Sequence, residues 1–216
     1  MNRIRNCWWS VVSCLLLLVF TGVAARAADL YKNDFEKAEA GKLPEDLMVL
    51  EGAFGVKEEN GNKFMELPGT PLETFGVLFG PNETGGLAAT ARVYGTAKGR
   101  RAPSFGVGLN GVGGYKLQMS PGKRVIELYK GEELLASAPV KWESGTWTLL
   151  RLAITKAGNE WKVEGKAWKE SEKEPPAPIL SHTLKEEPIS GKASVWGAPY
   201  SDTPIRFDDL RVTKLD

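Results

Sequence analysis

The sequence predicts an all-β, antiparallel sandwich. Three observations carry that reading. Short runs alternate apolar and polar residues with period two, turn residues separate them at short intervals, and no long 3.6-residue apolar repeat competes.

The alternating runs are legible in chain order. Leu87-Ala89-Ala91-Val93 alternate against Ala88-Thr90-Arg92-Tyr94. Phe105-Val107-Leu109 alternate against Gly106 and Gly108, and Tyr115-Leu117-Met119 against Lys116 and Gln118. Ile126 and Leu128 alternate against Glu127 and Tyr129. Leu150-Leu152-Ile154 and Trp161-Val163-Ala167 continue the pattern. Successive side chains of a strand point to opposite faces, so each run separates a core side from an outer side. About a dozen strands are expected on this spacing. Asn60-Gly61 separates Phe54-Gly55-Val56 from Phe64-Met65-Glu66-Leu67 and predicts a hairpin turn. Pro121-Gly122, Lys130-Gly131 and Gly158-Asn159 are further breakers. The one helix candidate, Phe35 to Leu50, is interrupted by Gly41 and Pro44.

The first 27 residues are of another kind. Arg3 and Arg5 precede a nearly unbroken apolar run from Trp8 to Val23, and Ala25-Arg26-Ala27 follows. That order is a secretory signal peptide. The expectation is export to the periplasm or beyond, a mature domain over 28–216, and no membrane span after cleavage. Cys7 and Cys14 both leave with the signal, so the mature chain has no disulfide and no thiolate. Cleavage takes Arg3, Arg5 and Arg26 from 28 basic residues and nothing from 27 acids. The near-neutral remainder has no electrostatic footprint for nucleic acid. Glu170 to Pro178 is polar and proline-rich, and reads as a surface loop between strands.

The residues argue against a familiar catalyst. His182 is the single histidine, there is no Gly-x-Ser-x-Gly elbow, and the pairs Glu132-Glu133 and Glu186-Glu187 would split to opposite faces of a strand. A catalytic zinc site draws on histidine or cysteine ligands, which are scarce here. A sugar-binding surface needs aromatic faces beside planar polar groups. Trp168, Tyr94 and Tyr129 fall on the polar sides of their strands, with Arg92, Gln118 and Glu127 as neighbours if the strands share a sheet. Trp142, Trp147, Trp161 and Trp196 are expected in the core.

Near the C-terminus, Phe207, Leu210 and Val212 can all be buried only if Asp208-Asp209 contains a bulge. Two adjacent carboxylates there need a counter-charge. Ca²⁺ could supply it through oxygen ligands, or Arg206, Arg211 or a lysine could.

The Asn33-Asp34-Phe35-Glu36 start and the Phe207-Asp208-Asp209-Leu210-Arg211-Val212 end resemble the terminal strands of concanavalin A-like and carbohydrate-binding-module jelly rolls. Trp142-x4-Trp147-Thr148-Leu149-Leu150-Arg151-Leu152, Trp161-Lys162-Val163-Glu164-Gly165 and Gly191-Lys192-Ala193-Ser194-Val195-Trp196-Gly197 resemble late strands of laminin-G-like and 3-keto-disaccharide-hydrolase-type domains. The whole chain is also similar to secreted proteins of planctomycete-type bacteria, a likeness that implies no activity. The resemblance implies a jelly roll whose terminal strands pair around a structural calcium, with Glu36 and Asp208 as ligands and Asn33 or Asp34 in support. It lacks the Glu-x-Asp-x-x-Glu strand of catalytic members of the fold. The resulting expectation is an exported, non-catalytic module that binds a glycan or cell-surface polysaccharide. An envelope interaction protein without a small ligand and a glycoside-active hydrolase are the alternatives.

Overall fold

The computed structural model describes residues 28–69 and 73–215. The export segment expected over residues 1–27 lies outside the described residues. Fifteen strands follow one another, and no helix occurs among the described residues. They are β1 (Asp29–Asn33), β2 (Met48–Glu51), β3 (Gly55–Glu59), β4 (Asn62–Leu67), β5 (Phe75–Glu83), β6 (Leu87–Tyr94), β7 (Ser104–Leu109) and β8 (Tyr115–Ser120). Then come β9 (Val125–Lys130), β10 (Glu133–Pro139), β11 (Trp147–Ala157), β12 (Glu160–Lys169), β13 (Leu180–Leu184), β14 (Gly191–Ala198) and β15 (Ile205–Lys214). The eight-stranded first sheet runs β13-β12-β11-β6-β15-β4-β3, with β1 also on β15. The seven-stranded second sheet runs β10-β9-β8-β7-β14-β5-β2. Every pairing is antiparallel.

The expected alternations hold. Leu87, Ala89, Ala91 and Val93 of β6 and Leu150, Leu152 and Ile154 of β11 are buried. They meet Phe105, Val107 and Leu109 of β7, Leu117 and Met119 of β8, and Ile126 and Leu128 of β9 in one contiguous core. At Gly165 the sheets press close together: a Cβ there would lie 2.5 Å from a Leu117 methyl carbon. Asn60 and Gly61 turn β3 into β4 with φ of 56° and 78°. Two left-handed residues give the primed turn whose twist matches the strands it joins. The structure has more strands than the sequence suggested. β2 and β10 are edge strands with no buried residue, so neither carries an in-out alternation to read. The Phe35–Leu50 stretch forms turns and β2. Its turn begins where Asn33 Oδ1 accepts the Phe35 N–H at 2.9 Å, with Phe35 itself left-handed at φ 56° and buried.

The expected bulge is present. The β15–β6 register shifts between Asp208 and Arg211, Asp209 has φ 48°, and Phe207, Leu210 and Val212 are all buried. The bulge also divides the far edge of β15. Residues before it pair with β4 and residues after it pair with β1. The counter-charge for the buried Asp208 is Arg92, directly across on β6, which the sequence reading did not name. Arg206 pairs with Glu59 and Glu66, and Arg211 with Asp29. Asp208 also accepts from Asn62 Nδ2 at 3.1 Å and from the Asp209 N–H at 2.7 Å. Burial pushes its carboxyl above the ordinary range, against the pull of the Arg92 and Asn62 bonds.

Two stability outcomes follow from this geometry. Removing one member of a buried pair leaves an uncompensated charge. Arg92→Met is therefore expected to lose about 3–5 kcal/mol in urea unfolding, and Arg92→Met with Asp208→Leu to recover most of it. A β-branched residue at a left-handed φ is strained, so Asp209→Val should fall below Asp209→Gly by about 1–2 kcal/mol in the same assay.

Candidate functional site

The outer face of the second sheet carries an aromatic platform. Its middle row pairs Ser137, Glu127, Gln118, Gly106, Trp196 and Gly76 across six strands. The next row pairs Lys116, Gly108, Ser194, Leu78 and Met48. Glycine at three of these outward positions leaves the floor without side chains. A Cβ on Gly76 would meet Cζ3, Cε3 and Cη2 of Trp196 at 2.6, 2.7 and 3.1 Å. Near-equal distances to three consecutive ring atoms place that Cβ over the ring face. Gly76 thus lets the indole lie flat on the sheet. At its other end Trp196 donates Nε1–H to Ser194 Oγ at 2.8 Å. A Cβ on Gly108 would collide with that same Oγ at 2.3 Å. One ring face rests on backbone, the indole N–H is satisfied, and the side chain keeps partial exposure to solvent.

Polar groups surround the ring. The Lys116 ammonium stands 5.7 Å from the Trp196 ring and 5.2 Å from that of Tyr129. Such contacts stabilise a cation through the ring quadrupole. No salt bridge to Lys116 forms among the described residues, and burial lowers its pKa. Glu127 is nearly buried, accepting from Ser120 Oγ at 2.6 Å and from Lys123 at 3.0 Å. Burial acts to raise its carboxyl, and those two bonds outweigh it, leaving the pKa below the ordinary value. Gln118 donates to Ser120 Oγ at 3.1 Å.

The outer face of the first sheet is built differently. Arg92 lies 4.4 Å from the Trp147 ring and pairs with Asp208, Glu170 and, at 3.3 Å, Asp209. Arg206 sits 4.6 Å from the Phe64 ring and 5.2 Å from Tyr94, and Tyr94 packs on Trp147 at 5.4 Å. This half is an interlocked stack whose cations already have partners. The other half is a groove of about 440 Å³ beside Trp168, bordered on the stack side by Arg92 and Asp209.

The six expected sugar contacts therefore do not share a surface. Arg92, Tyr94 and Trp168 stand on the first sheet, and Gln118, Glu127 and Tyr129 on the second. The outer faces of a sandwich point away from each other, so the two triplets are on opposite sides of the molecule. Two tryptophans expected in the core are on outer faces: Trp147 on the first sheet and Trp196 on the second. The signal was present in both cases. Leu150 and Leu152 are inside, which turns Trp147 outward, and Ala193 and Val195 inside turn Trp196 outward. Trp161 is in the core and Trp142 packs against it, as expected. His182 was expected with the outward polar residues. It pairs with Val163 and stands on the core side of β13, half-buried with Leu180 and Leu184.

The residues expected to hold calcium are committed elsewhere. Both Asp208 oxygens accept hydrogen bonds, Glu36 Oε1 accepts the Lys63 N–H at 3.1 Å, Asn33 Oδ1 accepts the Phe35 N–H, and Asp34 faces Lys32 at 3.3 Å. No group of three or more His, Cys, Asp or Glu with metal-holding geometry occurs among the described residues. Each of the four side chains already meets a donor or a cation of the chain, so a calcium ion there would have to displace those contacts.

No protein-family model matches the chain, and no curated protein matches it. Solved structures do. A Bacillus subtilis protein of unknown function with a galectin-like fold aligns with TM-score 0.60 at 12% identity, over 87% of this chain and 96% of that one. The carbohydrate-binding module CBM66 of Bacillus subtilis aligns with TM-score 0.53 at 9% identity, over 78% and 95%. The metal-free lectin I-B4 of Griffonia simplicifolia aligns with TM-score 0.52 at 11% identity, over 78% and 92%. At such identities the likeness is one of fold, and the chain is an all-β, concanavalin A-like jelly-roll sandwich.

Proposed function

We propose that this protein is an exported carbohydrate-binding module whose sugar site is the Trp196 platform on the outer face of the second sheet. The observation that carries the proposal is the indole lying flat over Gly76. A sugar ring presents one apolar C–H face and a rim of hydroxyls. Trp196 offers that face a flat apolar surface already fixed in orientation, which reduces the entropy lost on binding. Lys116 and Gln118 offer N–H donors to the rim, and Tyr129 borders the site. The lectin and carbohydrate-binding-module structures of the same fold support this reading, as does the signal-like order of residues 1–27.

The spacing of the platform's acids supports binding over hydrolysis in this reading. Glu127 and Glu51, the carboxylates of the platform row, stand on β9 and β2 at opposite ends of the second sheet. At ~4.8 Å per strand the five intervening spacings amount to roughly 24 Å. Glycosidic acids flank their bond at ~5–9.5 Å.

A ligand that binds only the folded state raises its melting temperature. Thermal unfolding across neutral plant, algal and bacterial glycans should find one that does. Trp196→Ala should weaken it at least tenfold, about 1.4 kcal/mol. If no glycan shifts the transition, or the shift survives Trp196→Ala unchanged, the proposal fails.

Lys116 adds a pH test. Between its lowered pKa and 10.5 the unfolded chain binds more protons at this site than the folded one, so stability rises with pH. Lys116→Met keeps the packing and removes the charge. It should be more stable than the parent at pH 7, with a margin that shrinks as pH approaches 10. Equal margins at both pH values would show that burial does not act on Lys116.

A further inference from the structure

The groove on the first sheet is lined by Arg92, Arg151 and Arg211 and by the acids Asp29, Glu174 and Asp209. Arg92 is committed to the buried Asp208 and to Asp209, whereas Arg151 and Arg211 are held only by surface acids. Arg151, Thr90 and Arg211 pair across β11, β6 and β15, with Lys166 beside Arg151 on β12. Arg151 and Arg211 are two strands apart, about 10 Å at ~4.8 Å per spacing. Trp168 and Leu149 form the adjacent apolar wall. The groove holds about 440 Å³.

The acid that meets these cations comes from the proline-rich loop between β12 and β13. Glu174 reaches Lys166 at 2.8 Å and Arg151 at 3.7 Å, so one carboxylate serves two cations. Arg211 has only Asp29, at 3.8 Å. Glu174 and Asp29 each keep 41% of their side-chain surface exposed. Ion pairs this exposed contribute little in water and exchange readily for another carboxylate. Pro175, Pro176 and Pro178 follow Glu174 directly and restrict the loop that carries it. The arrangement is a site for a carboxylate next to an aromatic wall, with a glutamate of the chain itself in the carboxylate's place.

We propose that this groove binds an acidic saccharide of the uronate class through Arg151, Arg211 and Lys166 against Trp168, and that Glu174 is the internal stand-in which the ligand displaces. Arginine suits the role because its planar fork matches a carboxylate in two parallel hydrogen bonds. The site is on the face opposite Trp196 and does not depend on the binding proposed there.

Polygalacturonate is the probe, with retardation in affinity electrophoresis and titration at low salt as readouts. The parent protein should bind it, and binding should weaken as salt rises. Glu174→Gln frees Arg151 and Lys166, and should tighten binding about threefold. Arg151→Gln with Arg211→Gln should weaken it at least tenfold, and Trp168→Ala severalfold. Trp196→Ala should leave it unchanged, which separates this site from the platform. A gain in Glu174→Gln cannot come from misfolding, so the test does not rest on loss alone. The proposal is overturned if neither the parent nor Glu174→Gln binds, if Glu174→Gln binds no better, or if the double arginine variant binds as the parent does. Loss in Trp196→Ala would place the acidic ligand on the other sheet and overturn it equally.

Discussion

The contact between Asp208 and Arg92 holds the bulge on which the first sheet is arranged. β15 is central in that sheet, and it must put Phe207, Leu210 and Val212 into the core within six residues. Regular alternation forbids this. One extra residue in the bulge permits it, at the cost of a left-handed Asp209 and a carboxylate buried at Asp208. Arg92, directly across on β6, neutralises that carboxylate, and Asn62 of β4 joins both. The same bulge lets β4 and β1 share one edge of β15 end to end.

This internal role sets the character of one half of the first sheet's outer face. Arg92 is bound by Asp208 and stacked on Trp147, Trp147 packs on Tyr94, and Arg206 lies between Tyr94 and Phe64. Aromatic and cationic side chains are present, yet their faces are covered by one another. The second sheet shows the opposite economy. Gly76, Gly106 and Gly108 remove side chains from the outward row, and Trp196 spreads into that space with a satisfied N–H. An aromatic ring supported from below and partly open above keeps one face to solvent, whereas one enclosed in a stack has both faces covered.

Much of this was legible in the residues. Period-two alternation placed Arg92, Tyr94 and Trp168 outward, as it did Gln118, Glu127 and Tyr129, and each is on an outer face. The burial of Phe207, Leu210 and Val212 by itself requires the bulge. The identity of the counter-charge did not follow, because Arg92 and Asp208 are 116 residues apart and no local pattern links them. The outward position of Trp196 runs against expectation for a different reason. Tryptophan is large and usually buried, and that general preference outweighed the alternation of Ala193 and Val195, which pointed it outward.

By itself the sequence determined which side chains of each strand face inward, where the hairpin at Asn60-Gly61 turns, and that β15 must bulge. These are local properties, decided by the two-residue period of a strand and by the φ angles a few residues can adopt. Only the tertiary structure decided that β6 and β12 belong to one sheet and β8 and β9 to the other, and hence that six expected contacts form two faces. Sheet membership comes from pairing between distant segments, and an isolated strand carries no mark of which neighbour it will join.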